Sequence, residues 1–214
     1  MPLPPGPWTP LLIGEHWPDH ASLAVLSSAA ESRGVLAQAF DAYSDTMRSA
    51  RFGPLAGQSG VTAEEVHAAF LRGEDHAREL AQKSVCRRNA YTSALHTVEA
   101  LREKLRDIAS RGNAAIERVR SSGVKHNEQV DGINTVIRSA REEAARASAA
   151  HFDNIFGELQ KVLSTSAIDS SSRVFAQCHG FPTAIGPSSS TDLPDRVDRM
   201  LTLAARGTGC RAVS

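Results

Sequence analysis

The chain has little with which to build a covalent or strongly charged framework. Its 214 residues hold three cysteines, Cys86, Cys178 and Cys210, far apart and with no C-x-x-C pair. An odd, scattered set of this kind argues against a disulfide framework and against a thiolate metal site. Lys+Arg and Asp+Glu are both 24, so the formal charge is zero and no electrostatic drive toward nucleic acid or an anionic membrane follows. No apolar run approaches the 18 or so residues that a membrane span needs. The opening "MPLPPGPW" has neither a basic n-region nor an apolar h-region, which reads as a chain without a Sec signal peptide.

Signatures of chemistry are scarce too. There is no G-x-S-x-G, no Walker sequence and no dinucleotide fingerprint, and "GPSSSTD" in the tail has no following Lys to hold a phosphate. One stretch invites a metal reading: "IGEHWPDH" sets His16 and His20 four apart, with Glu15 and Asp19 beside them. Pro18 between them decides against it. Proline in a helix interior removes a backbone hydrogen bond, so His16 precedes a helix that His20 enters, and the shared face is lost. His67, His76 and His96 lie among acidic neighbours that read as a solvated helix face, and no H-E-x-x-H occurs. Cys86 is flanked by Arg87 and Arg88, an arrangement that favours a thiolate, but an idle helical cysteine needs no further partner. The expectation is a protein that is not an enzyme, with no metal and no cofactor.

What the sequence does have is helical periodicity. Residues 1–17 carry Pro2, Pro4, Pro5, Pro7 and Pro10 and both tryptophans, and read as an extended, Pro-rich lead-in. Pro18 suits a helical first turn, with Trp17 packing as a hydrophobic staple. A stripe then runs Leu26, Ala29, Arg33, Leu36, Phe40, Tyr43, Met47, Ala50, in which only Arg33 is out of character. "RFGPLAGQSG" ends that helix near Arg51. Thr62 and Glu65 form a capping box, and a long stripe follows, strongest from Tyr91 to Ile108, with weak points at Gly73 and Gly112. Gly123 in "SSGVKHN" is a left-handed terminator and Asn127 a cap for a third helix. That helix's stripe is Val130, Ile133, Ile137, Ala140, Ala144, Ala147, slipping by an extra residue into Phe152, Ile155, Leu159, Val162, a stutter.

The fold expected is all-α: an elongated helical hairpin plus a third long helix, bundle or coiled-coil-like, over residues 18–164, with a disordered, Ser-rich tail over 165–214 that contains a short helix at 194–205. Leu36, Phe40, Tyr43 and Met47 are expected to pack on Val98, Leu101, Leu105 and Ile108 as the core.

The Trp-Pro entry "IGEHWP", the Ala-rich stripes and the Gly-containing turn "FGPLAGQSG" resemble the WXG100-like helical-hairpin proteins of actinobacteria. They resemble more closely the longer type VII (ESX) secretion substrates and associated proteins of the kind found in mycobacteria. The resemblance covers residues 10–120, and more loosely to 164. The family's turn carries Trp-x-Gly, where this chain has Leu55-Ala56-Gly57. Its export signal is Tyr-x-x-x-Asp/Glu, whereas Tyr43 and Tyr91 are followed four residues on by Met47 and Leu95.

The resemblance implies physical association with another helical protein or with a second copy, with no nucleic acid and no membrane insertion. It also implies a protein that is cytoplasmic, secreted, or placed in the cell envelope through type VII secretion. The interaction residues expected on this reading are Trp17, Leu55, Gly57, Phe70, Phe152, Ile155 and Phe156. The alternative is a cytoplasmic coiled-coil adaptor or oligomerisation module, built on the same heptads.

Overall fold

A computed structural model describes residues 3–18, 20–183, Val197 and Leu201. The described residues are all-α, with long helices packed on one another and no strand among them. The helices are α1 (Thr9–Leu12), α2 (His20–Phe52), α3 (Val61–Ser121), α4 (His126–Thr165) and α5 (Ser172–Cys178), with a 3-10 turn at Gly14–His16. No helix among the described residues is long and apolar enough to cross a membrane.

The helix ends follow the chemistry of their residues. α2 stops at the 53–60 turn, where Gly53 N–H donates to Ser49 O at 2.9 Å and Leu55 N–H to Ala50 O at 3.2 Å. α3 begins at Val61, so Thr62 lies inside the first turn rather than capping it; Gly60, at φ +104°, supplies the carbonyl that accepts from Glu64 N–H. Gly123 adopts φ +68°, the left-handed conformation expected of a terminator. α3 runs unbroken through both Gly73 and Gly112.

The chain forms two compact units, whose boundary crosses α3 at Thr97/Val98 and α4 at Phe152/Asp153. The first unit contains residues 1–19, 98–152 and 184–214. Its core joins Leu101, Leu105, Ile108, Ala109 and Ile116 of α3 to Ile133, Ile137, Ala140 and Ala144 of α4. The third layer of that core is the N-terminal segment. Trp8, Leu11, Leu12 and Ile13 are all fully or almost fully buried.

The expected extended lead-in is therefore incorrect. The prolines stop a long helix but permit the single turn of α1, whose spacing turns Trp8, Leu11 and Leu12 to one side. Polar contacts fix this segment in place. Asn113 Oδ1 accepts from Trp8 N–H at 3.1 Å, and Asn113 Nδ2 donates to Thr9 Oγ1 at 3.1 Å. Arg141 Nε donates to Leu11 O at 2.8 Å, and Arg102 Nη2 to Pro18 O at 2.8 Å, so helix-end and loop carbonyls that would otherwise be orphaned are satisfied. Two glycines make room: a Cβ on Gly112 would lie 2.6 Å from Leu12 Cδ2, and one on Gly6 2.5 Å from Asn113 Nδ2.

The second unit contains residues 20–97 and 153–183. Here α2 packs antiparallel on the first half of α3. Ser44 Oγ donates to Glu74 O at 3.3 Å, and Met47 and Arg88 lie against Gly73 and Gly34 respectively. Glu74, 3% exposed, receives Arg78 Nη2 at 2.6 Å and Arg51 Nη2 at 2.7 Å. These guanidinium bonds, that from Arg78 foremost, hold its carboxyl below the usual carboxylate range. The expected core of Leu36 and Tyr43 against Leu101 and Ile108 does not form: the first pair lies in the second unit and is exposed, and the second pair is buried in the first unit.

Of the expected flexible tail, residues 172–178 are helical instead. Ser171 caps α5 by accepting from Val174 N–H, a bond that the Ser-rich composition itself makes available. Residues 184–214 lie outside the described residues except Val197 and Leu201. Both of these are helical and buried in the first unit's core, four residues apart within the expected 194–205 helix.

Candidate functional site

The second unit carries two features that an interaction site requires. The first is a groove of about 570 Å³ among α2, α3 and α4. α2 contributes Leu26 and Arg33, seven residues apart; α3 contributes Arg87, Ala90, Tyr91 and Ala94; α4 contributes Ile155, Glu158, Leu159 and Val162; Phe181, beyond α5, completes the rim. Each helix offers residues three, four or seven apart, so one face of each turns to the groove. Most of these side chains are half-buried, while Phe181 is 64% exposed.

The charges in the groove are uneven. Glu158 is held by Lys161 Nζ at 2.8 Å. Arg87 Nη2 donates only to the Ser166 hydroxyl, at 3.4 Å. Among the described residues neither Arg33 nor Arg87 has a carboxylate partner. Cys86 lies beside this region, with Sγ 3.3 Å from Thr165 Oγ1.

The second feature is an uncovered apolar face on α2. Val25 is 67% exposed, Leu36 36% and Tyr43 51%. They are spaced by 11 and 7 residues, which places all three within about 20° of one another around an ideal helix of 3.6 residues per turn. The buried Ala37 and Ser44 are one residue further along, about 100° away, and mark the side that faces the unit's own core.

The residues expected to meet a partner are dispersed. Trp17 is half-buried against the first unit's core, with the guanidinium carbons of Arg102 and Arg106 at 5.5 and 5.7 Å from its ring. It thus belongs to the docking of the N-terminal segment. Leu55, half-buried in the turn, offers its carbonyl to His67 Nε2 at 2.8 Å, while Gly57 is exposed. Phe70 is half-buried in the second unit and Phe152 in the first. Phe156 is 8% exposed and lies under the Arg173 guanidinium at 4.8 Å, so it is core rather than contact surface. Of the seven, Ile155 alone lines the groove.

Arg33, the misfit in the α2 stripe, was the sequence signal for the groove. The exposed face was only partly signalled, since Leu36 and Tyr43 belong to that stripe and Val25 lies outside it. His16, 7% exposed, lies in the first unit, where burial pushes its pKa down more strongly than Glu15 raises it, and Arg141 adds to the depression. Among the described residues no three His, Cys, Asp or Glu converge as a metal would need.

No protein-family model and no solved structure matches the chain. Over 160 residues, 75% of its length, the chain is 26% identical to uncharacterized protein Rv2082 of Mycobacterium tuberculosis (strain ATCC 25618 / H37Rv), of whose length it spans 22%.

Proposed function

We propose that the chain is a non-catalytic helical interaction module that works with a type VII secretion system, as substrate or as binding partner, by laying a second helical protein along α2. The observation that carries association is the exposed face of Val25, Leu36 and Tyr43 in line along α2. Apolar side chains left exposed in line along a helix mark contact sites for helical partners. The tie to secretion rests on the resemblance of the entry, hairpin and Gly turn to the WXG100-like proteins.

The test is co-expression with a small helical-hairpin protein encoded beside the secretion ATPase, read by light scattering after size exclusion. A stable heterodimer is expected. The triple variant V25S/L36S/Y43S removes roughly 1–2 kcal/mol of apolar burial per site, so it should weaken the complex by on the order of a hundredfold or more. An unchanged affinity would refute the α2 face. Equal amounts of protein in culture filtrate with and without the ATPase would count against the substrate role. The second reading, self-association as a cytoplasmic adaptor, is favoured by the same face if the chain alone is a dimer that the triple variant dissociates.

A further inference from the structure

The groove of the second unit has properties that a helix-pairing surface does not require. It is concave, and its volume of about 570 Å³ falls inside the range of roughly 300–1,000 Å³ typical of small-molecule sites. Its walls are apolar, from Leu26, Tyr91, Ile155 and Leu159, yet two arginines, Arg33 and Arg87, also line it. Arg33 interrupts a stripe that is otherwise apolar, is half-buried, and has no hydrogen bond or ion pair among the described residues. A guanidinium has five N–H donors, and one drawn partly out of water without a partner is costly unless an anion meets it. The groove's one carboxylate, Glu158, is already engaged by Lys161.

We propose that this groove binds a small amphipathic anion, an apolar chain ending in a single carboxylate, with the chain against the α3 and α4 walls and the head on Arg33 and Arg87. Charge complementarity selects this occupant. A neutral apolar ligand leaves the Arg33 guanidinium unanswered, and a short anion leaves the walls empty. The site is independent of the α2 face, because Val25, Leu36 and Tyr43 do not line it.

The probe is laurate, below its critical micelle concentration, titrated calorimetrically into the full chain alongside dodecanol and butyrate. One laurate should bind per chain, at least tenfold tighter than either control. Arg33→Gln removes charge-assisted hydrogen bonds and should weaken laurate by roughly tenfold to a hundredfold while leaving dodecanol unchanged. Ala90→Phe fills the groove and should abolish binding, with circular dichroism confirming that the helices persist. V25S/L36S/Y43S should bind laurate normally, so failure of the partner proposal and failure of this one are distinguishable. Laurate and dodecanol binding alike, no response to Arg33→Gln, or no laurate binding at all would overturn the proposal. So would a change of molar mass in the Arg33→Gln variant, which would make the groove an interface between copies.

Discussion

Gly112 offers the sharpest test of how the first unit is built, because two effects of known size oppose each other there. In an exposed helix interior, Gly to Ala stabilises by about 1 kcal/mol. Here the added methyl would lie 2.6 Å from Leu12 Cδ2, 2.8 Å from Cδ1 and 3.2 Å from Cγ. The δ-carbons end a flexible side chain, but Leu12 is 0% exposed, so it can turn only within a close-packed core. Overpacking of this kind costs about 1–3 kcal/mol. Gly112→Ala should therefore destabilise by about 0–2 kcal/mol. Leu12→Ala alone should cost about 2–5 kcal/mol, the usual range for emptying such a site. In the Leu12→Ala background the clash is gone, so Gly112→Ala should become stabilising by about 1 kcal/mol. The cycle thus predicts a coupling of about 1–3 kcal/mol between two residues a hundred positions apart. Trp8 and Trp17 are the chain's two tryptophans and both belong to the first unit, so fluorescence during urea unfolding reads that unit. If Gly112→Ala stabilises both backgrounds equally, the N-terminal segment is not seated on α3 and the description of this core is wrong.

Two titrations probe one unit each. His16 has a depressed pKa in the folded state, so above the unfolded value near 6.5 both states are neutral and its stability contribution is intact. As pH falls through and below that value, the unfolded chain takes up the proton first, and the fluorescence-detected urea midpoint should drop between pH 7 and 5. His16→Gln should flatten that dependence. Glu74 also has a depressed pKa, from the bonds of Arg78 and then Arg51, so its contribution is present above the unfolded carboxylate value and is lost as pH falls through the folded one. Glu74→Gln should melt lower than the parent at pH 7 by circular dichroism, and the gap should narrow as pH falls below the unfolded carboxylate value. A gap that persists unchanged to pH 3 would exclude the ion pair as its origin.

The class of the fold and the extents of α2, α3 and α4 were legible in the sequence, because the 3.6-residue periodicity and the glycines at 53, 60 and 123 are local signals. Pairing is not local, and that is where the reading of the core went astray, although the turn lengths contained the answer. In an antiparallel hairpin the numbers of facing residues have a nearly constant total. Across α2 and α3 that total is about 120, as 34 meets 88, 44 meets 74 and 47 meets 73. Across α3 and α4 it is about 250, as 111 meets 143 and 119 meets 132. Leu36 therefore faces the region of residue 84, well short of Leu101. The α3 stripe from Leu101 onward belongs to the first unit's core. The N-terminal segment, with Trp8, Leu11, Leu12 and Ile13, packs there, and Val197 and Leu201 join the same core. The same arithmetic explains the slip in the α4 stripe between Ala147 and Phe152. It falls at the Phe152/Asp153 boundary between the units, where α4 ends its packing in a core shared with the N-terminal segment and enters the unit that contains α2. The stutter is thus the sequence mark of a change of partner. Val25, Leu36 and Tyr43 lie on the side of α2 turned away from the groove that α3 and α4 form with it.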